Sequence, residues 1–356
     1  MRKILCFVTL LALCFSVMPS CSCAGGGEGE IAVFYYTYSD TYISTVRSEL
    51  DKLFESKGIR YNNYDANGLQ TTQTEQIDTA IAKGASMLIV NVVDTGSDDA
   101  AMNIIGKARS AGIPVIFFNR SVSREVVTSY NKCVFVGTDY EMAGHLQGEM
   151  IGNYLLANYD KLDINGDGVI SYVMFKGQQG NAEAEARTKY VAEDASMILT
   201  KAGKPALKFY DSKNASKYLV DQNGTWSNAA ANDYMKTVLS GYSEKNGNMV
   251  ELVIANNDEM ALGALAALEE AGYNKSGART IPVFGIDATE AARAKIKDGK
   301  MAGTVRQDGA GMAEAIMTII DNFKAERTPL SGIKEENTVE GWRVNIPYSA
   351  YTKENR

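Results

Sequence analysis

Short apolar runs, each closed by a polar turn, alternate with amphipathic stretches along almost the whole chain, and this alternation constrains the fold more than any other feature. Residues 31–36, 87–92, 115–118 and 134–136 have the length and β-branched or aromatic content of buried strands. Between them, residues 42–57, 73–83 and 100–111 place their apolar side chains on one helical face. After a predicted helix over 143–157 the alternation resumes, with strand-like runs at 170–175, 207–209, 250–255 and 282–284. Continuous apolar runs imply strands buried on both faces, hence parallel sheets covered by helices. The chain is therefore α/β, and its 356 residues leave room for about two domains.

The N-terminus reads as an address. Arg2 and Lys3 precede an apolar run over residues 4–18, and small residues follow over 20–24. This is the order of an export signal over residues 1–24, and the run is shorter than the roughly 20 residues a spanning helix needs. Met18-Pro19-Ser20-Cys21 resembles a bacterial lipobox, which makes Cys21, with Cys23 as competitor, a candidate site of lipid attachment. Residues 25–30, Gly-Gly-Gly-Glu-Gly-Glu, read as a flexible tether. The expected location is beyond the cytoplasmic membrane, periplasmic or lipid-anchored at the cell surface.

Composition removes other classes. Cys6 and Cys14 would leave with the signal, so only Cys133 remains in the body, and no intradomain disulfide is expected. Cys133 stands in an apolar run and reads as packing. A net charge of −7 argues against a nucleic-acid partner. The only histidine, His145, lies on a predicted helix as a surface or interface residue, which leaves a Ser-His-Asp or Cys-His mechanism without a base.

In parallel α/β sheets, ligands bind beyond the carboxyl ends of the strands. Those positions here are 38–42, 119–120, 178–187, 256–258, 287 and 306–308, rich in carboxylates, amides and guanidinium groups. No Gly-x-Gly-x-x-Gly or Walker lysine pattern occupies them, which disfavours phosphate cradling. One polar stretch stands apart. Over residues 163–171, Asp163, Asn165 and Asp167 alternate and Gly168 follows at the sixth position, the front of an EF-hand calcium loop. Its twelfth position, where a bidentate glutamate should close the loop, is Met174. Either the match is accidental or the closing carboxylate comes from elsewhere in the fold.

Seven strings carry a more specific resemblance: Asp40-Thr41-Tyr42 with Val46-Arg47, Pro114-Val-Ile-Phe-Phe-Asn119, Val136-Gly-Thr-Asp139, Ala184-Glu-Ala-Arg187-Thr-Lys-Tyr-Val191, Val253-Ile-Ala-Asn-Asn-Asp258, Pro282-Val-Phe-Gly-Ile-Asp287 and Ala302-Gly-Thr-Val305. In this order they resemble the periplasmic galactose/glucose-binding proteins, from about Ile31 to the C-terminus. The resemblance implies a type I periplasmic-binding-protein fold, two doubly wound parallel-sheet lobes joined by a three-segment hinge. The implied N-terminal lobe is 31–138 plus 307–342, and the C-terminal lobe, with the calcium loop, is 139–306 plus 343–356.

The resemblance also implies one structural Ca²⁺. Asp163, Asn165 and Asp167 would hold it by side chain, Val169 by its carbonyl, with Ser171 and, from a distant strand, Glu251. Ser171 stands where the family has a longer amide. For the sugar, Tyr42 and Trp226 match two stacking aromatics, and Asp40, Asn119, Arg187, Asn257 and Asp287 match a polar ring suited to a rim of hydroxyls. Asn181, Glu183 and Gln307 occupy the remaining sugar positions but depart from the family's histidine, aspartate and asparagine, which bears on specificity.

The expected function is thus an extracytoplasmic, monomeric, non-enzymatic monosaccharide-binding protein. Galactose or glucose is the leading ligand, delivered to an ABC permease by lobe closure. The alternatives are a sensor reporting occupancy to a chemoreceptor or kinase and, more distantly, a secreted glycosidase using Asp40 and Asp287. A DNA-binding repressor is disfavoured, because an export signal stands where a helix-turn-helix would be.

Overall fold

The computed structural model describes residues 29–355. The expected export signal, Cys21, Cys23 and residues 25–28 of the tether lie outside the described residues. Strands and helices alternate through β1 (Ile31–Tyr35), α1 (Thr41–Ser56), β2 (Tyr61–Asp65), α2 (Gln70–Ala82), β3 (Met87–Val90), α3 (Asp99–Ala111), β4 (Val115–Phe118), α4 (Arg124–Thr128) and β5 (Cys133–Gly137). The chain then crosses into α5 (Tyr140–Leu162), β6 (Ser171–Lys176), α6 (Ala182–Lys201), β7 (Lys208–Phe209), β8 (Leu219–Val220), α7 (Asn228–Gly241), β9 (Leu252–Ala255), α8 (Asp258–Glu270), β10 (Val283–Asp287), α9 (Glu290–Lys297) and β11 (Gly303–Arg306). It returns through α10 (Gly309–Lys324), β12 (Thr338–Val339) and β13 (Arg343–Asn345), and ends in β14 (Ser349–Thr352).

Two seven-stranded sheets result. The first runs β12-β13-β5-β4-β3-β1-β2, and the second runs β14-β11-β10-β9-β6-β7 with β8 also paired to β6. All pairings are parallel except β12 with β13 and β14 with β11, which sit at the edges. Apolar side chains cover both faces of each sheet: α1 and α10 pack on one face of the first and α2 to α4 on the other, while α7 to α9 and α5 with α6 sandwich the second. Tyr42, Ile43, Val46, Leu50 and Phe54 form the buried stripe of α1, at the spacing one helical face requires. Cys133 is buried, and burial pushes its thiol pKa well up, as a packing residue should show.

Two features differ from the sequence reading. Strand β2 carries no apolar run (Tyr-Asn-Asn-Tyr-Asp), because an edge strand exposes part of its surface. The third crossing lies beyond Asn345, not after Trp342: Arg343–Asn345 pairs with β5, Ile346 N donates to Gly137 O, and the Ile346 side chain joins the first sheet's core. Only at Ser349 does the chain pair with β11. Among the described residues, no helix is long and apolar enough to cross a membrane.

Candidate functional site

The carboxyl ends of the strands in both sheets, and the N-termini of the helices that follow, face one another across a cleft. Asp40, Asn181 and Asn257 are N-caps: their side-chain oxygens accept from Ile43 N (2.8 Å), Ala184 N (2.9 Å) and Met260 N (2.9 Å). The first lobe contributes Asp40, Tyr42 and Asn119, the second contributes Asn181, Glu183, Arg187, Trp226, Asn257 and Asp287, and Gln307 stands at the crossing directly after β11, its backbone amide donating to Asp287 O. All ten residues matched to a sugar site therefore line one cavity. Tyr36 and Arg120 line it too. Arg120 lies in a turn whose position after a strand was itself the signal, whereas Tyr36 was hidden as the last residue of an apolar run. Tyr42 serves two surfaces, packing in the first lobe's core while lining the cleft.

The cleft is narrow, with a volume of about 40 Å³. A larger cavity of about 540 Å³ lies against α5 and the C-terminal strand, lined by Met150, Tyr154, Phe284 and Met301. It lacks the convergence of buried polar groups from both lobes, so the small cleft is the better candidate site. Four hydrogen bonds join the lobes at its rim. Thr41 Oγ1 donates to Glu259 Oε1 (2.9 Å), Arg120 Nη2 to Gln178 Oε1 (2.8 Å), Ser121 N to Glu183 Oε1 (3.0 Å) and Asn181 Nδ2 to Thr95 Oγ1 (3.5 Å).

Within the cleft, most groups are half-committed. Tyr36 OH donates to Asp40 Oδ2 (2.5 Å), and the Arg120 guanidinium lies 4.3 Å from the Tyr36 ring centre. Arg187 donates to Asn256 O (2.8 Å) and Gln307 Oε1 (3.0 Å). Arg187 Nε, Arg120 Nε and Glu183 Oε2 are buried and make no hydrogen bond within the protein. Buried polar atoms without partners are costly, and these three belong to residues that line the cleft. Backbone strain collects here as well: Asn119 (φ 62°), Trp226 (φ 58°) and Asp287 (φ 123°) hold left-handed conformations that disfavour side chains.

Burial raises the Asp287 pKa well above the carboxylate range; Arg187 opposes the shift, and Asp258 and Asp40 reinforce it. Behind it, burial pushes Asp258 up to about 7, although Thr304 Oγ1 (2.7 Å) and Thr289 N (2.7 Å) donate to its oxygens. Burial works against the charge on Arg187, but Tyr348, Asp287 and Glu183 more than offset it.

The loop at 163–171 joins α5 to β6. Asp163 Oδ2 accepts from Gly168 N, Asn165 Oδ1 from Asp167 N and Asp167 Oδ1 from Val169 N, each at 2.9 Å. Glu251, fully buried, reaches this loop from the residue before β9: Oε1 accepts from Ile164 N (2.7 Å) and Oε2 from Ser171 N (2.8 Å). Asp163 Oδ1 is buried with no partner. An oxygen-only donor set with one buried orphan fits a hard cation. The Ser171 hydroxyl already bonds Met249 O (3.0 Å) and Glu251 Oε2 (3.1 Å), so it is the weakest member of that set. Among the described residues, no three acidic, histidine or cysteine side chains are gathered closely enough to hold a metal by themselves.

Known proteins share this architecture. The chain is 35% identical to the D-galactose/methyl-galactoside binding periplasmic protein of Haemophilus influenzae over 341 residues, covering 95% of this chain and 94% of that one. It resembles an ABC transporter solute binding protein of Bacillus halodurans solved with myo-inositol, at a TM-score of 0.68 and 25% identity, over 93% of this chain and 97% of that one. A solute binding protein of Clostridium phytofermentans solved with β-D-glucose shares the fold at a TM-score of 0.70 and 19% identity, over 91% and 94% of the two chains. Residues 31–326 match the periplasmic binding protein domain family, and the chain belongs to that family.

Proposed function

We propose that this protein binds a neutral monosaccharide or similar polyol outside the cytoplasmic membrane and hands it to an ABC importer by opening and closing its lobes, with no bond made or broken. The observation that carries this reading is the convergence of Tyr42, Trp226, the two arginines and the caps Asp40, Asn181 and Asn257 on one interlobe cavity with unpaired buried donors and an acceptor. Rings supply surfaces for the apolar faces of a sugar, and the committed polar groups supply direction. The galactose-binding relative favours D-galactose or D-glucose as ligand. Asn181, Glu183 and Gln307 reshape the pocket, so myo-inositol and D-ribose belong in the same screen.

A thermal-shift series with D-galactose, D-glucose, D-ribose and myo-inositol tests the proposal, since a ligand bound only by the folded state raises stability by mass action. One of them should raise the melting temperature, and titration calorimetry should return one site per chain. No shift with any of the four would refute the reading, and sustained release of product from an aryl glycoside would replace it with the glycosidase alternative. We further propose that the loop at 163–171 and Glu251 hold one structural Ca²⁺, with oxygen ligands that brace the second lobe. A sensor role rests on the same closure and differs only in the partner that reads it.

A further inference from the structure

We propose that Asp221, a residue outside the cleft lining, is the positioning residue for Trp226. Its carboxylate would set the angle at which the indole meets a sugar face. The purpose of that plate rests on the sugar-binding reading above; its geometry does not.

Trp226 is held in a left-handed backbone conformation (φ 58°) between Thr225 and Ser227, the cap of α7. Asp221 is buried, and its Oδ2 accepts from Thr225 Oγ1 (2.9 Å) and from Ser227 N (3.0 Å). A single oxygen thus grips the residue before the tryptophan and the residue after it. Oδ1 accepts from Asn223 N (3.0 Å), and Gly224 N donates to Asp221 O (3.0 Å), closing the turn that leads in. The Asp221 amide donates to Lys176 O (2.9 Å), which ties the loop to the end of β6.

The indole has a prepared floor. A Cβ on Gly177 would fall 2.0–2.6 Å from three indole atoms, so only glycine permits the ring to lie there. Asn257 Nδ2 also donates to Trp226 O (3.3 Å). With both neighbours held, the backbone cannot relax and the ring stays between Gly177 and the cavity. Without the carboxylate, three donors lose their acceptor and the left-handed conformation loses its restraint. Asparagine keeps one oxygen and so can satisfy only part of this set.

The test uses the full mature chain carrying Trp342→Phe, which leaves Trp226 as its only tryptophan. Asp221→Ala should move Trp226 emission to the red without ligand. It should also weaken binding of the best stabiliser among D-galactose, D-glucose, D-ribose and myo-inositol by at least about tenfold. Asp221→Asn should fall between Ala and wild type, and Thr225→Val, which releases one grip and keeps the carboxylate, should give a smaller shift of the same sign. In a Trp226→Ala background, Asp221→Ala should cost less than about twofold more, because its effect runs through the ring. Unchanged emission in both Asp221→Ala and Thr225→Val overturns the inference, as does an equal loss of affinity with and without Trp226. A red shift in a protein whose wild type binds none of the four ligands supports the positioning role and overturns the sugar-binding reading.

Discussion

Individual cleft residues divide their hydrogen-bonding groups between the protein and the cavity. Asn181 spends its oxygen capping α6 and one amide hydrogen on Thr95, and Gln307 spends its oxygen on Arg187, so what each has left for an entering molecule is amide N–H. Arg187 anchors Gln307, and its Nε makes no hydrogen bond within the protein. Arg187→Ala should therefore lower sugar affinity by about 100-fold in calorimetry, since it removes a buried charge that also orients Gln307. Asp258 gives a pH signature. Its folded pKa of about 7 lies above the ordinary carboxylate value, so between about pH 4 and pH 7 the folded state keeps a proton that the unfolded chain has released. That contribution is present at acid pH and lost as pH rises through about 7. Urea titrations at pH 5 and pH 8 should show stability falling over the interval, and Asp258→Asn should flatten the slope. For the proposed calcium, EDTA should lower the melting temperature of wild type, and Glu251→Ala should remove that sensitivity. An EDTA-insensitive wild type would rule out a stabilising cation.

Among the elements, α5 and α6 pack most closely, because glycines four residues apart let the backbones approach. A Cβ on Gly144 would lie 2.8 Å from Ala186 O, and one on Gly148 would lie 2.8 Å from Asp194 Cβ and 2.9 Å from Val191 O. Gly148→Ala should cost about 1–3 kcal/mol by overpacking, measured by urea denaturation, despite the better helix propensity of alanine. This contact also positions the site, since α6 begins with Asn181 and Glu183 and carries Arg187. Elements with strong periodicity were legible from sequence: the apolar strands and helices α1 to α3 emerged within a few residues of their bounds. Strands β2, β12 and β14 were not, because edge strands bury too little to leave an apolar run, and β13, though interior, is only three residues long, too short for a periodic signal. Positions after strands marked nearly every cleft residue. Asp221 gave no such mark, since it acts through backbone amides and a hydroxyl of its own loop, contacts that no spacing rule encodes.

For the molecule as a whole, two sheets with three crossings make a hinge, and the rim bonds mark its closed end. A bound sugar should shift the population toward the closed form, and X-ray scattering should show a smaller radius of gyration on adding the stabilising sugar. An unchanged profile would mean that closure is complete without ligand. The rim bonds at Thr41, Arg120, Ser121 and Asn181 also have a consequence in time. With the lobes joined in this way, a captured sugar would leave only when those bonds break, so its residence would be timed by the hinge and not by its own contacts alone. Capture rates should level off at high sugar concentration where opening becomes the slow step, and a membrane partner that pries the lobes apart would decide when the cargo is given up.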